Sequence, residues 1–214
     1  MKRRSWMTAE ELLNKLAGDP EYQARVKERD RRIEEETRKL RAETATLLSE
    51  LRDVGIDVES VWDLINTSED YSVVYPILAR HLREQYAERN LEGIARSLTR
   101  PDALEAAWGA LRDRFIENGG KTPEGFGFAL GNALGEIMDE SVLPDVLELV
   151  TERAYGTNRE VMVHYLVEYR DRPDVRRVLE SLADDPDVAE KAKRALTLRR
   201  VRRRPRRGRR KSRT

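Results

Sequence analysis

The chain has 214 residues, 38% charged, 39% apolar and only 6% aromatic, which is leaner in apolar residues than an average globular domain and points to a thin core under a large surface. It has no cysteine, so disulfides and thiol chemistry are excluded, and no run near the ~20 apolar residues of a membrane span, so a cytoplasmic protein without membrane contact is expected. Its net charge of +1 hides an asymmetry: residues 199–214 hold eleven Lys/Arg and no acid, leaving 30 basic against 40 acidic residues, a net −10, in 1–198.

The start, MKRRSWMTAEELL, has basic residues but no apolar run after them, and is not read as a secretory leader. Thr8 to Glu11, T-A-E-E, is a capping box that opens a short helix ending at Gly18. Asp19-Pro20 starts the next, an N-cap followed by proline at the first helical position. Nothing in the sequence interrupts that helix before Asp53, and Gly55 follows its end, so about 34 residues and roughly 50 Å of helix are expected. Val26, Ile33, Leu40, Leu47 and Val54 recur every seven residues along it, with Thr37, Thr44 and Leu51 at the intermediate turns. Opposite charges such as Glu21/Arg25 and Glu35/Lys39 cover the other faces. Two readings stand: a charged helix resting one edge on the rest of the protein, or a lean coiled-coil seam, giving a monomer or a weak dimer through this helix.

After Gly55, short helical patterns of 10 to 16 residues alternate with turns rich in Asp, Pro, Gly and Asn, and no segment keeps a period of two; the expected class is all-α. Three stretches align, from Leu91, Leu130 and Met162, at spacings of 39 and 32 residues. Each has an apolar helix end, a polar turn (TRPD, MDES, RDRPD) and a resumption of apolar residues. A fainter copy, VWDLINTSEDYSVVYPILARHL, lies upstream, and a half copy, DDPDVAEKAKRALTL, downstream. ALGEIMDESVLPDVLELV therefore divides into two helices. The first ends near Met138, the D-E-S turn supplies the next N-cap, and Pro144 falls in the first turn of the second, as Pro76 does upstream. The small residues Gly131, Ala133 and Gly135 are expected to let the second helix approach the first closely, and Leu134, Ile137, Val146 and Leu149 to face inward.

These residues, ALGEIMDESVLPDVLEL and DDPDVAEKAKRAL above all, resemble the HEAT-repeat family, especially the short bacterial HEAT-like repeats also found in bilin lyases. The likeness covers about residues 58–198. Glu105 and Arg176 stand where proline is usual, the linker ENGGKTPEGFGFALG is longer and richer in Gly, and residues 1–55 match no HEAT pattern. The resemblance implies a HEAT-like, right-handed α-solenoid of about four helix pairs and a half pair, its second (B) helices lining a concave face. The expected organisation is a helical extension with the long charged helix over 1–55, the repeats over 56–198, and a disordered basic tail over 199–214.

Little in the chain carries covalent chemistry. His81 and His164 lie in helical patterns with no carboxylate or histidine at metal-ligand spacing, and HEAT-like iron hydroxylases use His-Glu dipeptides, which this chain lacks. The glycines of GFGFALG lie in a helix-like segment, not after a strand. No cofactor or metal is expected. Some bacterial DNA glycosylases use HEAT-like repeats with Trp, Asp and Arg in a basic cleft, and Trp62, Trp108, Arg96 and Arg100 are present; but Leu104, Leu111 and Phe115 surround Trp108 at helical spacing, which reads as core. A duplex cleft should also be dominated by cations, and the B helices are mixed in sign.

Tyr71, Tyr75, Arg80, Arg83, Asp145, Glu148, Arg176 and Arg177 form the candidate concave surface for a protein partner. In the tail, Arg199, Arg200, Arg202, Arg203, Arg204, Arg206, Arg207, Arg209, Arg210, Lys211 and Arg213 are candidates for contact with RNA or DNA phosphates. No aromatic residue is interleaved with them, so sequence readout is not expected. The expected function is a non-enzymatic scaffold that binds a protein through its repeats and sits near nucleic acid, for instance a ribosome or nucleoid, through its tail. The alternative is a DNA-glycosylase-like enzyme on the same fold.

Overall fold

The computed structural model describes residues 7–121 and 125–198. Among them every regular element is helical: α1 (Ala9–Ala17), α2 (Pro20–Glu43), α3 (Ala45–Asp53), α4 (Tyr75–His81), α5 (Glu88–Ser97), α6 (Leu104–Asn118), α7 (Phe126–Ile137), α8 (Leu143–Thr151), α9 (Glu160–Tyr165), α10 (Pro173–Ser181) and α11 (Ala189–Thr197), joined in places by short 3-10 turns. The chain forms two units, one ending at Ala45 and one starting at Thr46, so the boundary falls before Gly55, where the sequence suggested it.

The first unit holds α1 and α2, and their starts follow the sequence. The Thr8 hydroxyl accepts from the Glu11 amide at 3.2 Å while the Glu11 carboxylate accepts from the Thr8 amide at 2.8 Å. Asp19 Oδ1 accepts from the Glu21 and Tyr22 amides, with Pro20 in the first turn. Neither helix buries a residue. The expected unbroken helix to Asp53 is corrected: it is interrupted at Thr44, where the backbone moves to φ −92°, ψ 11°. The Thr44 hydroxyl donates to the Leu40 carbonyl at 3.1 Å, the back-bonding by which threonine competes with the helical ladder. The seven-residue stripe is thereby cut. Val26, Ile33 and Leu40 stay on α2, and Leu47 passes to α3.

In the second unit Leu47, Leu48 and Leu51 of α3 are buried. Gly55 closes the helix at φ +88°, a value L side chains rarely adopt, and the Ile56 amide returns to the Leu51 carbonyl at 2.9 Å. Beyond it the helices fall into two series. The 3-10 turn Val61–Leu64 packs on α5, α5 on α7, α7 on α9 and α9 on α11. Between these come α4, α6, α8 and α10, with α4 against α6 and α8 against α10. At the centre is α7, nine of whose twelve residues are buried, Leu134 and Ile137 among them. Val146 and Leu149 of α8 are buried as expected.

Two local expectations are corrected. Gly131 and Gly135 do make room for a neighbour, but it is not α8. A Cβ on Gly131 would lie 2.1 Å from the Asn158 carbonyl oxygen, and one on Gly135 2.8 Å from the Tyr165 ring and 3.2 Å from Val161. The missing side chains thus admit α9 and the turn before it. The D-E-S cluster does not cap α8 either: Val142 holds the N-cap position with no side-chain bond. Asp139 instead closes an Asx turn, accepting from the Ser141 amide at 2.9 Å and hydroxyl at 2.6 Å. Proline opens the intervening helices more regularly than the sequence alignment suggested. Pro76, Pro144 and Pro173 lie in the first turns of α4, α8 and α10, and Pro101 starts the 3-10 turn that runs into α6. Each sits where a helix amide has no intrahelical acceptor.

Candidate protein-binding surface

The helices α4, α6, α8 and α10 carry the candidate surface, and their side chains are tied to one another. Arg83, just past α4, reaches Asp113 of α6 at 3.2 Å. Arg112 of α6 lies with its buried Nε 3.5 Å from Asp145 Oδ2 of α8, close enough for an ion pair but not a hydrogen bond. The same Asp145 oxygen accepts from the Trp108 indole at 3.2 Å. Arg176 pairs along α10 with Glu180 at 3.0 Å, and Arg177 donates to the Pro173 carbonyl at 3.3 Å. Of the eight candidates, Arg80, Arg83, Glu148, Arg176 and Arg177 are exposed and Asp145 is half-buried.

Tyr71 and Tyr75 are corrected to core residues: both are buried. The Tyr71 hydroxyl donates to the Ser97 carbonyl at 3.0 Å, its ring meets that of Tyr75 edge-on, and the Arg100 guanidinium lies 4.6 Å over it. The Tyr75 hydroxyl donates to Asp102 at 3.1 Å. Burial, then the Asp102 carboxylate, push that phenol above its ordinary value, so it stays a donor. Aromatic residues are buried for their area, and at helical spacing the sequence cannot separate a docking tyrosine from a core one with a satisfied hydroxyl. Beside this pair an open cleft of about 840 Å³ is lined by Asp70, Ser72, Val73, Pro76 and Glu105.

Sequence reading missed the surroundings of His81. The carboxylate that meets it is not the local Glu84 but Glu50, which reaches it from α3, 31 residues earlier, with its Oε2 3.2 Å from His81 Nε2. Arg80 pairs with the same oxygen. His81 Nδ1 lies 2.6 Å from the Tyr86 hydroxyl, and the two rings stack at 5.9 Å. The imidazole is buried with both nitrogens engaged, an arrangement that ties α3 to the end of α4. No signal short of the fold pairs Glu50 with His81. The residues that suggested a glycosylase cleft are also engaged: Trp62 lies under the Arg89 guanidinium at 4.0 Å, Arg96 binds Glu92 at 2.8 Å, and Arg100 donates to the Tyr71 hydroxyl at 3.2 Å. Trp108 is half-buried against the core. The eleven tail cations lie outside the described residues.

Among the described residues no group of three or more His, Asp or Glu side chains is placed to hold a metal ion, and no helix is long and apolar enough to cross a membrane. Comparisons with protein-family models, with curated proteins and with solved structures find no match for this chain.

Proposed function

We propose that the protein is a non-enzymatic HEAT-like scaffold. Its repeats over 56–198 stack as a solenoid and bind a protein across the exposed face of α4, α6, α8 and α10, and the Arg-rich segment 199–214 makes sequence-independent contact with RNA or DNA. One observation carries the reading: the exposed face of these successive helices alternates in sign, from Arg80 and Arg83, through Asp113, Asp145 and Glu148, to Arg176 and Arg177. Such a face suits a partner of complementary mixed charge better than a polyanion, which needs a continuous field of cations. The serial packing of α5, α7, α9 and α11 supports the HEAT-like reading, since in a repeat protein each unit contacts chiefly its neighbours.

The test is affinity capture from native lysate, with and without nuclease, using the full chain, residues 1–198, and an Arg176→Glu/Arg177→Glu variant. The reading expects a protein captured by the full chain and by 1–198 regardless of nuclease, and lost with the charge-reversed face. Capture that depends wholly on nucleic acid, or that ignores the reversal, would overturn it.

A further inference from the structure

His81 stands between a carboxylate and a phenol. The imidazole is buried, with Glu50 Oε2 3.2 Å from its Nε2 and the Tyr86 hydroxyl 2.6 Å from its Nδ1. Hydroxyl, imidazole and carboxylate in that order are the parts by which a base activates a weak nucleophile while a third group orients the base. An ionised carboxylate only accepts, so in the neutral ring Nε2 carries the proton, and Nδ1 is left bare to accept from the Tyr86 hydroxyl. Arg80 donates to the same Glu50 oxygen and holds it in place. We propose that Tyr86 is an acyl-acceptor site, a phenol that takes an acyl group from an activated ester with His81 as its base.

The turn that carries Tyr86 is fixed on both sides. The Glu84 amide donates to the His81 carbonyl and the Tyr86 amide to the Glu84 carbonyl, each at 3.1 Å. Arg114 of α6 donates to the Leu82 carbonyl at 2.7 Å and to the Glu84 carbonyl at 2.9 Å. The Tyr86 and His81 rings lie 7° from parallel, their centroids 5.9 Å apart. Tyr86 is half-buried and His81 buried, so an electrophile arriving from solvent meets the phenol before the base. Tyr75 and Tyr165 also bond side chains that accept protons, but theirs are carboxylates, Asp102 and Glu136, weaker bases than imidazole. In the step, the Tyr86 oxygen bonds the acyl carbon as its proton passes to His81 Nδ1. The bond from the acyl carbon to the leaving oxygen breaks, and the imidazolium gives its proton to that oxygen. Glu50 faces the imidazolium while it lasts. Tyr86 ends as an aryl ester, and no oxidant or further reactant is consumed. The transfer is stoichiometric, so it stands whether or not the face of α4 to α10 binds a partner.

The probe is p-nitrophenyl acetate. Incubated with the full chain at neutral pH and followed by peptide mass spectrometry, it should acetylate Tyr86 at least tenfold faster than any of the other six of the seven tyrosines. His81→Gln keeps an amide in place of the imidazole, able to hydrogen-bond but not to take the proton. It should slow labelling of Tyr86 at least tenfold and leave the circular dichroism spectrum unchanged. Tyr86→Phe should abolish labelling at that position. Glu50 acts through His81 as a positioning residue, and its readout is spectroscopic. NMR of the ring nitrogens of the two histidines should show His81 protonated at Nε2 and bare at Nδ1, and Glu50→Gln should mix the two tautomers. Labelling of Tyr86 no faster than of the other tyrosines, labelling indifferent to His81→Gln, or a wild-type ring protonated at Nδ1 in place of Nε2 would each overturn the proposal. The tautomer is read on the wild-type chain, so it decides even where His81→Gln fails to fold.

Discussion

Arg159 is the least expected residue in the second unit. Its side chain is 0% exposed and Asp185 1%, yet the guanidinium is fully occupied: Nη1 and Nη2 each meet an Asp185 oxygen at 3.1 Å, Nη1 the Val150 carbonyl at 3.0 Å, and Nε the Gly156 carbonyl at 2.8 Å. It pins the turn before α9 to the turn before α11. Arg159→Met strands a buried carboxylate, and a loss of about 3–5 kcal/mol on chemical denaturation is expected. Arg159→Met/Asp185→Ala should cost less than the single change, because no charge is left unpaired. Burial pushes the Asp185 carboxyl up, but the Arg159 guanidinium and the Asp187 amide outweigh it and hold the group below the ordinary carboxylate range. A depressed folded value means that the stability Asp185 contributes is whole above about pH 4 and is lost as pH falls through the folded value. The stability gap between wild type and Asp185→Asn should therefore narrow on acidification below pH 4 and stay constant above it. Gly131 gives a second contrast. Gly131→Ala must push the Asn158 carbonyl away and should destabilise by about 1–3 kcal/mol. Gly109→Ala, at an exposed position of α6, meets only the Arg83 guanidinium at 3.5 Å and should stabilise by up to about 1 kcal/mol.

At the scale of elements, what was legible in the sequence was local, and what was hidden was long-range. The starts of α1 and α2 were readable because a capping box and an Asp-Pro pair act within four residues. Val146 and Leu134 were readable as core because burial follows the 3.6-residue period. The Thr44 break was not, since threonine is ordinary in a helix until its hydroxyl turns back on the preceding carbonyls. Nor were the neighbours of Gly131, the Glu50–His81 contact or the inward turn of Tyr71 and Tyr75, each of which depends on residues 26 to 31 positions away. The prolines lie between the two cases: they mark helix starts, but only the structure shows that Pro101 does for α6 what Pro144 does for α8. Because the amide that Pro144 lacks would have no helical acceptor, Pro144→Ala should change stability by less than about 1 kcal/mol. Val146→Pro, two residues further on and buried, should cost about 3 kcal/mol or more. A thermal melt of both variants separates a proline that starts a helix from one that breaks it. A large loss with Pro144→Ala would show that its ring, at an exposed position, contributes packing as well as a helix start.

For the whole molecule the decisive quantity is the division of charge. Residues 1–198 carry 40 acidic and 30 basic side chains, and residues 199–214 eleven basic ones. Among the described residues many of the cations are paired with carboxylates: Arg83 with Asp113, Arg96 with Glu92, Arg112 with Asp145 and Arg159 with Asp185. A polyanion approaching that surface meets a net negative charge in which many of the arginines are already paired with carboxylates, so affinity of the full chain for nucleic acid is expected to reside in the tail. The full chain is then expected to bind single- and double-stranded oligonucleotides with little sequence preference. Its affinity should fall linearly in log–log terms with salt, by roughly 0.7 to 0.9 of a power per phosphate contacted, as condensed counterions are released. Residues 1–198 alone should lose nearly all of it. The measurement is a salt titration of fluorescence anisotropy on both forms with matched oligonucleotides. Tight duplex binding by residues 1–198 at moderate salt would reverse the conclusion. It would mean that the ion pairs between helices open to release their arginines to phosphate, and that the face of α4 to α10 is a nucleic-acid surface of the kind a glycosylase uses.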